Sequence, residues 1–422
     1  MKKKIVSLLL VAAMGISTLV GCGGGGTTNN SQTGNSQGGN TQSGPEKITL
    51  KVWAPDNQQE LLKKQTDAFE KANADKWDIE WEISAVGEDS ARDQVLNDAE
   101  AAADVFMYAT DNTAALVNAG VIAKLGGETK EMVTSQMSQA VVDTVTLNGD
   151  IWAIPFTHNT WFMYYDKSIM TDEDVKTMEG IVNKETADGV YNFKIDGGGW
   201  YMGSWYYGNG LSLYGMDGTQ LDKGCDWNNE TGVAVTKYLI NLMNNKKVSH
   251  TIDIVQHISE HKLGVWFDGA WNYGTYKDEL GDDLGMAQIP TFNVNGNDVQ
   301  LRSFYSTKAI AVNATSKHMA ASLAFARFLA SEEQQIARFE DSAQVPTNTK
   351  ASQIQAVQDS DVAKVILAEV ENATIAQPST KEFGATYWDP AGAIIGDIVA
   401  GKLTLENVQD YLDKLVKNMT GQ

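Results

Sequence analysis

The stretch that most restricts the fold opens the body of the chain: "KITLKVWA", then "PDNQQELLKKQTDAFEKAN", then "WDIEWEIS". Ile48, Leu50 and Val52 alternate with polar partners, the period of a half-buried strand, whereas Leu61, Leu62, Ala68 and Phe69 recur at helical spacing. Trp77, Ile79, Trp81 and Ile83 return to period two, and "ADVFMYAT" reads as a short buried strand. Such alternation predicts an α/β fold with a largely parallel sheet. Further on, "LAFARFLASEEQQIARF" reads as an amphipathic helix. So does "TLENVQDYLDKLVKNM", which places Leu405, Val408, Leu412, Leu415 and Met419 on one face with Thr404 as its cap.

Upstream of this body, Lys2, Lys3 and Lys4 precede the uncharged apolar run "IVSLLLVAAMGISTLV", flanked like a signal peptide. It ends "LVGC", from Leu19 to Cys22, which resembles the bacterial lipobox and implies removal of residues 1–21 and lipidation of Cys22. A plain signal or a membrane-spanning anchor is the alternative, disfavoured by the short span and the small residues before Cys22. Between Cys22 and the body lies "GGGGTTNNSQTGNSQGGNTQSGP", which has neither a hydrophobic nor a charged residue and cannot offset its ordering entropy by burial. Residues 22–45 therefore read as a lipidated cysteine and a flexible tether of about 25–30 Å root-mean-square reach.

The formal charge of -21 becomes -24 once the three leader lysines are gone. Such a surface repels phosphate backbones, so nucleic acid is excluded as a partner, and neutral or cationic ligands are favoured over anionic ones. With Cys22 lipidated, Cys225 stands alone, so the exported body has no intramolecular disulfide and no cysteine-rich zinc site. About 375 residues exceed what one core usually supports, which predicts two domains.

No nucleophile elbow, Walker motif or dinucleotide fingerprint is present. "HISEH" matches H-x-x-E-H, a spacing that on a helix would set His257 and His261 on one side with Glu260 between them as the general base of a zinc peptidase. No third ligand is identifiable, and a solvated helix face is the simpler reading. The 54 acidic residues leave a cell-surface glycoside hydrolase open, because sequence does not supply the separation of any carboxylate pair.

Between residues 150 and 275 aromatics crowd into "WFMYYDK", "GGGWYMGSWYYGNG" and "VWFDGAWNY". Isolated rings of this kind read as core, but rings beside Gly, Asn and Asp suit a sugar. Its C–H face stacks on an aromatic while groups such as Asp268 and Asn272 take the hydroxyls. "LGVWFDGAWNY" reads as a strand entering a glycine turn that presents Trp271 and Tyr273.

In chain order, "LKVWAPDNQQELLKKQTDAFEKAN", "ADVFMYATDNTAALVNAGVIAKL", "LNGDIWAIPFTHNTWFMYYDK", "LGVWFDGAWNY", "LGMAQIPTF", "AIAVNATSK", "QVPTN" and "ATYWDPAGAIIGDIVAGKLTLENVQDYL" resemble the extracellular solute-binding proteins of ABC importers, most closely the maltose and maltodextrin-binding type. The resemblance covers residues 47 to 420. It implies an α/β, two-lobe, periplasmic-binding-protein-like fold with a hinge and an interlobe cleft, with lobe one from 46–156 plus 308–350 and lobe two from 157–307 plus 351–422.

It further implies a monomer without cofactor, metal or catalytic activity, held outside the cell membrane by lipid on Cys22, that passes a neutral oligosaccharide to permease subunits. For the ligand it implies Asp56 or Asn57 after the first strand, Tyr108 as a cleft aromatic, and Asp111 as a hydroxyl acceptor. Asn112 stands where the pattern has an arginine, and Asn159 where it has a glutamate. In lobe two it implies Trp200 or Tyr201 as a stacking ring with Trp205 nearby, Trp271 and Trp388 as the principal stacking rings, and Tyr273 as a second aromatic of the same turn. The histidines of "HISEH" are assigned a structural role.

Overall fold

The computed structural model describes residues 44–421; Cys22 and the tether up to residue 43 lie outside the described residues. The strand Glu46–Ala54 buries Ile48, Leu50, Val52 and Ala54, as the alternation predicts. It pairs in parallel with Trp77–Ala85 from Glu46↔Trp77 to Ala54↔Ala85, after the helix Gln59–Ala72 has crossed back over the sheet. On its other side Val105–Ala109 is also parallel, with Val52 opposite Val105, and all five of its residues are buried. The core of this first lobe packs Leu50, Val52, Phe69, Phe106 and Ile154 against Ile310 and Phe325.

The second sheet runs, in spatial order, Leu284–Ala287, Trp161–Asp166, Leu263–Gly269, Tyr191–Lys194 and Val248–Ser249. Its first two pairings are antiparallel and its last two parallel. Trp161–Asp166 is buried at every position because the sheet is covered on both faces. Trp161, Met163 and Tyr165 enter one hydrophobic cluster, while Phe162 and Tyr164 enter another with Trp266. Much of the aromatic crowding in the sequence is thus core.

Two helices depart from the sequence reading. "LAFARFLASEEQQIARF" breaks into Met319–Leu329 and Glu332–Ser342, because Ser331 caps the second helix by accepting from Gln334 N at 3.4 Å. The last helix is Val408–Thr420, with Val408, Leu412, Leu415 and Met419 buried as expected. Thr404 and Leu405 lie ahead of it, so Thr404 is not the cap and Leu405 is 43% exposed.

Residues 159–161 lead from the first sheet into the second, and on that side of the first sheet lie the long strand Ser303–Val312 and Thr374–Ala376. Ser303–Val312 pairs with Thr374–Ala376 at its start, then with Ile154–Asn159 and Val105–Ala109 toward its end. Buried hydroxyls bind these segments together. Thr160 Oγ1 lies 2.9 Å from Ser303 Oγ and donates to the Phe304 carbonyl at 3.0 Å. Glu369, fully buried on the helix leading to Thr374–Ala376, accepts from Ile289 N at 3.0 Å and sits 2.8 Å from Ser303 Oγ.

Burial pushes the Glu369 carboxyl up to about 8, outweighing the two hydrogen bonds that favour its ionised form, so at pH 7 it is largely neutral. An acid whose folded pKa is raised binds a proton that the unfolded chain has lost. Stability is therefore complete below the ordinary glutamate range and falls as pH rises, until it levels above about 8. Glu369→Gln mimics the neutral form. Thermal unfolding from pH 5 to 8 should show the wild type losing up to about 1.4 kcal/mol per pH unit from this group. The variant should lack that slope and be the more stable protein at pH 8; parallel curves would contradict this.

Candidate functional site

A cavity of about 460 Å³ lies where the strand ends of the two sheets meet. From the first lobe it is lined by residues immediately after parallel strands. Asn57 and Gln58 follow Glu46–Ala54, Glu88 and Asp89 follow Trp77–Ala85, and Asp111 follows Val105–Ala109. The carboxyl ends of parallel strands are where α/β sheets bind ligands, because loops there are free to vary over a rigid frame. From the second lobe come Trp200, at the start of the helix Gly199–Gly208, Trp271, in the turn after Leu263–Gly269, and Trp388, at the start of Trp388–Val399.

The indoles are held, not loose. Trp200 and Trp271 stack with centroids 5.8 Å apart at 25°, and Trp200 Nε1 donates to Gln377 Oε1 at 3.0 Å. The ring of Trp271 folds back over Gly269 so closely that a Cβ there would sit 1.9 Å from it. On its other side the Lys308 ammonium lies 5.5 Å from the ring centroid, a cation–π contact, and 3.4 Å from Glu88 Oε1. Glu88 also accepts from Gln58 at 3.3 Å, and Gln58 accepts from the buried Arg338 at 3.1 Å. Arg338 stacks over Phe156 at 4.4 Å, and burial lowers its pKa to about 10. One polar chain thus runs from the first core to the edge of the Trp271 ring.

Asp111 is a meeting point, since two smaller cavities, of about 400 and 230 Å³, also touch it. Burial and then the neighbouring Asp89 carboxylate raise its pKa to about 7, while Arg92 and a hydrogen bond from Gln377 partly oppose them. At neutral pH this group is divided between a carboxylate that accepts and a carboxylic acid that also donates.

Of the residues singled out in the sequence, Asn57, Asp111, Asn159, Trp200, Trp271 and Trp388 come together on the cavity wall. Asn159 donates to Ser306 Oγ at 2.9 Å. The others lie elsewhere. Asp56 is exposed and does not line the cavity. Tyr108 is fully buried in the first core, its hydroxyl 2.9 Å from Thr113 Oγ1, because the all-apolar strand that carries it is covered on both faces. Asn112 faces the side cavity and accepts from Arg92 Nη1 at 3.1 Å, so a guanidinium does stand beside Asp111, supplied by another helix. Tyr201 packs between Trp161 and Trp200 as a support. Trp205 is core, edge-on to Phe292, and Tyr273 packs into the second lobe. Asp268 takes no part in the wall, being occupied by Gly269 N, Asn272 and Tyr276.

Residues that sequence reading passed over are Gln58, Glu88, Asp89, Lys308, Gln344 and Gln377. Only Lys308 carried a local signal, as a lone cation in the otherwise uncharged strand "SFYSTKAIAV". The "HISEH" residues diverge. The helix Ile254–Ser259 ends before His261, which adopts φ 51° and turns its Nδ1 to the buried Asp166 at 2.7 Å, while His257 Nδ1 contacts the Asp253 carbonyl and Glu260 pairs with Lys262. Among the described residues no group of three or more ligand-type side chains could hold a metal ion.

The model of a family described as bacterial extracellular solute-binding protein matches residues 64–364. A maltooligosaccharide ABC transporter solute-binding lipoprotein of Streptococcus pneumoniae (strain ATCC BAA-255 / R6) is 24% identical over 340 residues, covering 76% of this chain and 77% of the relative. A galactooligosaccharide-binding protein of Bacillus subtilis (strain 168) is 24% identical over 437 residues, covering 100% and 98%. Among solved structures, one described as being with acarbose has TM-score 0.82 and 33% identity, covering 89% of this chain and 99% of that one. Maltodextrin binding protein MalE1 from L. casei BL23, solved without ligand, has TM-score 0.79 and 26% identity over the same shares.

Two outcomes follow from the wall itself. Gly269→Ala should displace the Trp271 ring and destabilise the fold by about 1–3 kcal/mol, read as a lower Tm with altered tryptophan near-ultraviolet dichroism. Asp89→Asn removes the charge that adds to burial, so the Asp111 carboxyl should titrate at lower pH. Carbon-detected carboxyl titration showing it unmoved near 7 would refute the electrostatic account.

Proposed function

This chain belongs to the bacterial extracellular solute-binding proteins, and from that premise we propose that it captures a neutral oligosaccharide, with maltose and maltodextrins first among candidates, and delivers it to an ABC permease. The observation that carries the ligand class is the convergence of Trp200, Trp271 and Trp388 on one cavity whose remaining wall, Lys308 and Ala109 apart, is carboxyl and amide. Sugar rings offer an apolar C–H face to indoles and a rim of hydroxyls to acceptors and donors. A volume of about 460 Å³ falls in the range of small-molecule sites. The maltooligosaccharide and maltodextrin names of several relatives support the α-glucan, while the galactooligosaccharide-binding relative, which aligns along the whole chain, keeps a galactooligosaccharide as the second candidate.

In this reading Trp271, Trp388 and Trp200 stack on the sugar, and Asp111, Asn159 and Asn57 select among hydroxyl patterns. The lobes are residues 46–156 plus 308–350 and 157–307 plus 351–422, and they close on ligand by bending where the chain passes between them. Residues 1–21 are a lipoprotein signal peptide, and lipid on Cys22 holds the monomer at the outer face of the cell membrane. The protein holds its sugar without cleaving it. Divergent placement of His257, Glu260 and His261 speaks against a zinc peptidase.

Calorimetric titration with maltose, maltotriose, longer maltodextrins and galactooligosaccharides tests the reading, with the sugars checked afterwards for cleavage. Saturable binding of intact sugar is expected. Trp271→Ala should weaken it by about 1–3 kcal/mol, roughly five- to 150-fold, with the fold retained. Cleaved sugar would replace the binding protein by a hydrolase, and undiminished affinity in the variant would remove Trp271 from the site.

A further inference from the structure

Buried polar side-chain atoms without a hydrogen-bond partner among the described residues belong to Gln65, Trp161, Trp227, Trp266, Arg338 and Gln344. Of these residues only Gln344 lines the cavity. It stands just after the helix Glu332–Ser342, whose final turn is closed by Ala343 in the left-handed region at φ 55° and ψ 22°. That reversal seats Gln344 at 7% exposure, while the next residues pack back against the strand Ile154–Asn159, with His158 N donating to the Val345 carbonyl at 3.4 Å.

Neighbouring buried amides are all employed. Gln335 Oε1 accepts from Thr347 N at 2.9 Å and Asn348 N at 3.0 Å, and its Nε2 donates to the Ala330 carbonyl at 2.9 Å. Gln58 joins Arg338 to Glu88, and Asn159 reaches Ser306. Gln344 Oε1 alone on this wall is desolvated and unmatched, and a group in that condition destabilises the fold it sits in.

We infer that Gln344 is a specificity-determining ligand contact, its side-chain amide taking a hydroxyl of the bound saccharide on the first-lobe wall. The assignment rests on the oligosaccharide reading above and adds to it the first residue of "QVPTN", to which the resemblance assigned no role. A wall amide left unmatched by a ligand penalises that ligand, so sugars lacking the facing hydroxyl are rejected more strongly than a passive surface would reject them.

The test is Gln344→Leu, which keeps the volume and removes both amide groups, made in the full chain. If Gln344 waits for a ligand, the variant without sugar should melt at the same temperature as the wild type or higher, because an orphaned polar group has been replaced by an apolar one. Titration with maltotriose and with a galactooligosaccharide should show about tenfold weaker binding of whichever sugar the wild type holds. A variant that melts lower has lost a structural contact, and one that binds sugar as tightly as the wild type has lost no ligand contact; either result overturns the assignment while the oligosaccharide reading stands. A wild type that binds neither sugar nor any longer glucan would sink that reading and this assignment together.

Discussion

The strand Ser303–Val312 sits where the two lobes meet, and the rest of the molecule is arranged around its pairings. Its first residues pair with Thr374–Ala376 and are tied to Thr160 and Glu369, while its last pair with Ile154–Asn159 and Val105–Ala109 in the same sheet. A strand so placed brings the carboxyl ends of the first sheet opposite the aromatic turns of the second, and the cavity lies where they face. Lys308, projecting from the same strand, reaches both sides: the Glu88 carboxylate in one lobe and the Trp271 ring in the other. In the function proposed above, hinge and binding wall would be built from one piece of backbone, so that ligand contact and lobe motion are linked without a separate relay.

Electrostatics inside the cavity differ from those outside. The chain carries a formal charge of -21, yet two of the three wall carboxyls are individually moderated. Glu88 is matched by Lys308, and the charge of Asp111 is reduced by burial and by the third, Asp89. A wall of this kind offers hydrogen-bond capacity with a weaker field than its three carboxyls would give unmoderated. That suits a polyhydroxylated neutral ligand, where a strongly charged wall would keep its own water.

The order of strands and helices through residue 109 was legible because one-sided burial imposes period two on strands and 3.6 on helices, and Glu46–Ala54 and Gln59–Ala72 obey both. Trp271 and Trp388 were reached through family resemblance, and the structure sets them with Trp200 on one cavity. Tyr108 and Trp205 misled because an aromatic in an apolar run looks the same whether its face meets a cleft or a second layer of core. Glu88, Asp89 and Gln377 were invisible because each owes its place to where a strand ends in space, and their local sequence is ordinary surface sequence, while Gln344 was quoted within "QVPTN" with no role attached. The spacing of "HISEH" has chemical meaning only on a continuous helix, and the helix stops at Ser259.

The account stands or falls on what occupies the space between Trp200, Trp271, Trp388 and Asp111. A crystal structure of the protein grown with maltotriose answers this directly. Sugar density stacked on the Trp271 and Trp388 indoles, with a hydroxyl within hydrogen-bond distance of Asp111, is the predicted result. An empty cavity at saturating sugar, or sugar seated on other residues, would contradict it.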